Sequence, residues 1–144
     1  MSSAHADNVR HFTADSYTQI EKARAGKPFV LAFWSVSCSH CPSEMRALAH
    51  FQRRYPRLEI VLVATDTPQD AVDALRLAAE YGLAGSEQWI FADEVPERLR
   101  FAIDRRWHGE LPRTYFFDGR NAPAGVSGVI PAEKLEAWVL AHAR

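Results

Sequence analysis

Apolar positions along the chain fall into two alternating kinds of segment. Phe29–Trp34 and Leu58–Ala64 are almost continuously apolar, and the second is rich in β-branched residues. Runs of this kind predict strands buried on both faces of a parallel-type sheet. Gln88–Ala92 predicts a further short strand. Between the runs, apolar residues recur at helical spacing. Tyr17, Ile20 and Ala23 predict a helix from Asp15 or Ser16 to Ala25, closed by Gly26. Met45, Leu48, Ala49 and Phe51 predict one from Ser43 to about Tyr55, stopped by Pro56, with Glu44, Arg46, Gln52 and Arg53 on its polar side. Val72, Leu75, Leu77 and Ala78 mark a helix after Thr67-Pro68 that ends at Tyr81-Gly82, and Leu99 and Ile103 one from Pro96 to about Arg106. A proline-led strand from Gly109 to an Asp118-Gly119 turn, with a partner at Ala124–Val129, reads as a hairpin. Leu135, Trp138 and Val139 place a last helix over Pro131–Ala143.

The order α-β-α-β-α-β-α-β-β-α implies an α/β domain, a sheet flanked by helices on both faces. There is no internal repeat or linker, so the reading is a flexible N-terminus over 1–11 and a single domain over 12–144. Within that terminus Ala4-His5-Ala6 has the form of a signal-peptidase site, but no apolar segment precedes it. Two readings stay open: a chain that begins just inside a removed leader, and an ordinary loose terminus.

Composition narrows the function. With 144 residues and a net charge of −1, nothing points to nucleic acid or an anionic membrane as partner. No apolar run approaches the roughly 20 residues that span a bilayer. The two cysteines, Cys38 and Cys41, are too few for a disulfide scaffold or for a four-ligand zinc site. They form a Cys-x-x-Cys where a predicted strand turns into a predicted helix, the setting of a dithiol redox pair. If a helix starts at Cys38, its thiolate lies at the positive end of the helix dipole and becomes the attacking sulfur. Cys41 is then the resolving thiol, and Pro42 removes a donor that the first turn would not use. Between the cysteines, Ser39 can donate a hydrogen bond and His40 can carry positive charge, both favouring the thiolate. The competing reading is a metal-binding chaperone in which Cys38, His40 and Cys41 hold copper(I) or zinc. His5, His11, His50, His108 and His142 show no ligand spacing.

Taken with their flanks, these residues resemble the thioredoxin-like superfamily, and most closely its TlpA-like extracytoplasmic branch, which includes cytochrome c maturation reductases. Phe33-Trp34-x-x-x-Cys38-x-x-Cys41-Pro42 carries the likeness, together with Leu111-Pro112-x-Thr114-Tyr115-Phe116-Phe117-Asp118 and the strand-helix length inserted between Asp66 and Glu110. The resemblance implies a thioredoxin-like fold with a central mixed sheet and a strand-helix insertion. It implies a cis Pro112 packed against the disulfide, and a Leu111 backbone that pairs with an extended substrate. Trp34 would flank the site or sit in the core. The activity implied is protein thiol–disulfide exchange, more as a reductase, with no bound cofactor beyond the Cys38–Cys41 pair. Partners would be protein thiols or disulfides and an upstream electron donor such as a membrane thiol reductase. The chain would act as a monomer in the periplasm or another extracytoplasmic space, the alternative being the cytoplasm.

Two departures qualify the likeness. Small thioredoxins carry a buried acid in the strand before the motif, where this chain has Ala32, and the residue after the proline is Arg113 in place of the common Thr. Asp66 and Glu110 are candidates for the missing acid, and Arg113 reads as surface charge. His40 stands before the second cysteine as in strongly oxidising periplasmic members, which argues for oxidation. Copper-delivery members use Cys-x-x-x-Cys and a distal histidine, and peroxiredoxins a Thr-x-x-Cys setting; the chain has neither.

Overall fold

The computed structural model describes residues 9–144. The expectations for Ala4-His5-Ala6 and for a loose segment up to Asn8 lie outside the described residues. Strands β1 (Val9–Phe12), β2 (Phe29–Trp34), β3 (Ile60–Ala64), β4 (Glu87–Phe91), β5 (Arg113–Phe117) and β6 (Ala124–Ser127) form one sheet in the order β1-β4-β3-β2-β5-β6. The helices are α1 (Ser16–Ala23), α2 (Cys41–Arg54), α3 (Ala71–Glu80), α4 (Pro96–Ile103) and α5 (Ala132–His142). A short 3₁₀ turn, Pro68–Asp70, leads into α3, where Thr67 and Asp70 cap each other reciprocally. β1, β4, β3 and β2 run parallel, β5 runs antiparallel to β2 and β6 antiparallel to β5, so the sheet is mixed as expected for the thioredoxin-like fold. The insertion between Asp66 and Glu110 supplies α3, β4 and α4, and it places β4 between β1 and β3.

The continuous apolar run of β2 is explained by burial on both faces. Val30, Ala32 and Trp34 face one core layer with Met45, Leu48 and Ala49 of α2 and Leu135 and Val139 of α5. Phe29, Leu31 and Phe33 face the other, an aromatic layer with Phe12, Trp89, Phe91, Trp107, Tyr115 and Phe117. Trp89 and Trp107 are therefore core residues, while Trp138 packs partly buried on the first layer.

The N-terminal boundary moves. Residues 9–11, assigned by sequence to a flexible terminus, lie in β1, which pairs with β4 from Val9↔Gln88 to Phe12↔Phe91. The strand escapes periodicity because it is four residues long and only its ends are buried, leaving Arg10 and His11 exposed on an edge. α4 also ends early, at Ile103, because Asp104 is extended (φ −164°, ψ 116°). Its carboxylate accepts bonds from Arg106 N, Arg113 and Tyr115 instead.

Phe12 meets Phe33 and Trp89 edge-on and stacks on Phe91 at 5.5 Å. Replacing it by Ala should therefore destabilise the domain by about 3–5 kcal/mol, read as a lowered urea midpoint with an unchanged slope. A loss no larger than that of an exposed substitution would show that β1 is not part of the folding unit.

Candidate redox site

The site lies at the C-terminal ends of β2 and β3, where the parallel strands release the chain into loops. After Trp34 the backbone turns, and Cys38 N donates to Ser35 O at 3.2 Å. Asp66, just beyond β3, fixes this turn with both carboxylate oxygens. Ser35 Oγ donates to one at 2.8 Å and Val36 N to the other at 3.1 Å. A second tie holds the same strand ends, Thr65 N donating to Trp34 O at 2.8 Å. Asp66 is thus the clamp on the loop that carries Cys38, and its oxygens are committed there.

Cys38 and Cys41 are joined as a disulfide, with Cα atoms 5.4 Å apart. Cys38 is half-buried, whereas Cys41 is 0% exposed and belongs to the core layer of Trp34, Met45 and Leu48. α2 opens at Cys41, two residues before the expected Ser43, with His40 at the N-cap, so the condition of a helix starting at Cys38 is not met and Cys38 precedes it by three residues. The Cys38 sulfur still lies at that helix end, because it is bonded to the sulfur of the first helical residue. That end carries the positive pole of the helix dipole. Pro42 occupies the first turn as expected. Ser39 and His40 are exposed, and the His40 side chain makes no capping bond. Trp34 is buried in the core, edge-on to Tyr81 at 6.3 Å.

A buried acid does stand near Ala32, and it comes from α2. Glu44 was assigned to the polar face of its helix, but it is only 1% exposed. One carboxylate oxygen accepts Ile130 N at 3.0 Å, and the other accepts the Thr114 hydroxyl at 3.4 Å. Thr114 is the cross-strand partner of Ala32 on β5. The carboxyl therefore reaches the face of the sheet where a strand acid at position 32 would stand. Burial pushes its pKa above the usual carboxylate range, and the two hydrogen bonds oppose that rise in part. A signal for this existed. Glu44 falls one turn after Cys41 and one turn before Leu48, on the stripe that packs inward.

Pro112 is cis and buried, and its carbonyl accepts Gly128 N at 2.8 Å. Leu111 is half-buried and touches both core layers. Glu110, the other candidate acid, accepts His108 N at 2.6 Å and Ser127 Oγ at 3.1 Å, and so organises the approach to the proline. Arg113 is not surface charge. Its side chain is 11% exposed and pairs with Asp104 at 2.7 Å. The bond is invisible in sequence because it depends on α4 folding back beside β5. Among the described residues, no group of three or more His, Cys, Asp or Glu side chains is placed to hold a metal ion. The redox group is the Cys38–Cys41 disulfide.

A buried acid with a raised pKa keeps its proton in the folded chain at pH values where the unfolded chain has lost it. Its contribution to stability is complete below about 4.5 and is lost as pH rises through the higher folded-state value. Glu44→Gln removes that titration. Urea unfolding from pH 4 to 8 should show the fall in the parent protein and a flatter profile in the variant; parallel profiles would place Glu44 in a solvated setting.

No family model matches this sequence. Thiol-disulfide oxidoreductase YkuV of Bacillus subtilis is 32% identical over 124 residues, covering 81% of this chain and 79% of that protein. A secreted Mycobacterium tuberculosis disulfide oxidoreductase homologous to Escherichia coli DsbE superposes with a TM-score of 0.65 at 23% identity, covering 83% of this chain and 85% of the other. A DsbF homologue from Corynebacterium diphtheriae gives 0.63 at 18% identity, over 84% and 75%. The structural likenesses establish the fold, and the Bacillus relative joins that fold to a chemistry the disulfide at the head of α2 can perform. The chain belongs to the thioredoxin-like thiol-disulfide oxidoreductases, with the fold of their DsbE-like members.

Proposed function

We propose that the protein works as a reductase of protein disulfides. The carrying observation is a half-buried Cys38 joined to a fully buried Cys41, with the buried Glu44 carboxyl one turn further along α2. In the reduced protein the Cys38 thiolate attacks a substrate disulfide, forming a mixed disulfide and releasing one substrate thiolate. Cys41 then gives up its proton, with Glu44 as the acceptor. The Cys41 thiolate attacks the Cys38 sulfur, closing the Cys38–Cys41 bond and releasing the second substrate thiolate. Two electrons pass to the substrate, and an upstream thiol donor restores the dithiol. The extended segment around the substrate cysteine lies along the Leu111 backbone and over Pro112.

Two features favour the reducing direction. A buried carboxyl beside the pair disfavours a second negative charge, which destabilises the thiolate form and makes the disulfide harder to reduce. His40, the argument for oxidation, is exposed, so water screens its charge. Ser39 and His40 then trim the potential without reversing it. An extracytoplasmic setting with a membrane thiol reductase as donor fits this direction, with cytochrome c maturation among the processes it can serve. No helix among the described residues is long and apolar enough to cross a membrane.

Equilibration in glutathione buffers should place the couple nearer to about −270 mV than to about −120 mV. A value at the oxidising end would reverse the assigned direction. Cys41→Ser should accumulate a mixed disulfide through Cys38 with a disulfide-bonded peptide, visible as a mass adduct, while Cys38→Ser should not. Equal trapping by both variants would contradict the division of labour between the two sulfurs.

A further inference from the structure

The two residues that flank Leu111-Pro112 both bond to one hydroxyl. Ser127 Oγ donates to Glu110 Oε2 at 3.1 Å and accepts Arg113 Nη1 at 2.9 Å. Ser127 stands opposite Arg113 in the β5–β6 register, and the next residue, Gly128, donates its N–H to Pro112 O. The residues on each side of Ser127 are themselves fixed. Arg113 Nη2 lies 2.7 Å from Asp104 Oδ2, and its Nε donates to Tyr115 Oη at 3.0 Å. Tyr115 Oη donates to the same Asp104 oxygen at 2.9 Å. Glu110 is held at Oε1 by His108 N, and its carbonyl accepts Trp107 Nε1 at 2.9 Å. Trp107 in turn packs on Phe33 of the central strand, with ring centroids 4.8 Å apart.

We propose that Ser127 is a positioning residue for substrate docking: its hydroxyl links Glu110 to Arg113 and holds the Leu111-Pro112 backbone at a fixed distance from the disulfide. This rests on the reading that substrate docks along Leu111-Pro112. The segment before Pro112 has no strand pairing of its own, since β5 begins only at Arg113. A docking strand with a free backbone must be held from outside its ladder, or part of the binding free energy is lost in ordering it. The brace does so from both ends. It also ties the insertion, through Asp104 at the end of α4, to the place where substrate is read. Arg113, which departs from the common Thr, thereby has a role: its guanidinium spans from Asp104 to Ser127, a reach that a threonine lacks.

The test compares the parent protein with Ser127→Ala, Ser127→Thr and Pro112→Ala, using dithiothreitol as electron source. Each reduces a disulfide-bonded peptide and a small disulfide, hydroxyethyl disulfide. Loss of the two exposed hydrogen bonds of the hydroxyl should raise KM for the peptide roughly threefold relative to the small disulfide in Ser127→Ala. Ser127→Thr, which restores the hydroxyl on a strand-favouring residue, should bring it back. Pro112→Ala should raise the same ratio. If Pro112→Ala raises it and Ser127→Ala does not, the brace is refuted while docking on Leu111-Pro112 stands. If neither variant moves it, the docking reading fails and the brace with it. If Ser127→Ala lowers the melting temperature and slows both substrates alike, the hydroxyl is only structural and the proposal is overturned.

Discussion

The central strand β2 is buried on both faces and paired on both edges, parallel to β3 and antiparallel to β5. That double pairing fixes where the chain must leave the sheet. It brings the end of β2 beside the end of β3 and the start of β5, and so collects at one edge the turn before Cys38, the Asp66 clamp and the cis proline. None of these parts is adjacent in sequence, and none would hold its place alone. The turn over Ser35–Cys38 hangs on Asp66, and the Leu111-Pro112 segment hangs on β5 and β6. The aromatic layer behind β2, with Phe33 against Trp107 and Tyr115, makes this edge rigid from the far side.

In the proposed mechanism electrostatics divides two chemically identical thiols. Cys38 stands at the open end of α2, where water and the helix terminus favour its charged form. Cys41 is sunk in the core with a buried carboxyl one turn away, where a negative charge is disfavoured. The asymmetry follows from the position of the helix start. Because α2 opens at Cys41, the buried sulfur, which the proposed mechanism makes the resolving one, is held by the helix, and the Cys38 sulfur, proposed to attack, by a loop. The loop sulfur is the one that an incoming disulfide can reach.

Much of this was legible in the sequence. The continuous run over 29–34 gave its strand to the residue, and the cysteine pair with its flanks led to the fold and the chemistry. What escaped was tertiary. Val9–Phe12 is too short and too polar in its middle to announce a strand, and only pairing with β4 makes it one. Glu44 was read outward because it is charged, although its place on the helix points inward. The spacing was the better guide, because Ile130 N and Thr114 are present to satisfy the carboxylate. Arg113 was read as surface for the same reason, its partner Asp104 being fixed only when α4 folds back against β5. In each case a polar side chain was judged by its type, while its partner came from a distant part of the chain.

On the proposed mechanism the fold makes one sulfur reactive and shields the other. The most direct measurement is the rate of alkylation of the fully reduced protein by iodoacetamide across pH 5 to 9, with the modified residue identified by mass spectrometry. Cys38 should carry the label and titrate below the free-thiol value of about 8.5, while Cys41 should react only after unfolding. Labelling of Cys41 as fast as Cys38 in the folded protein would contradict the mechanism.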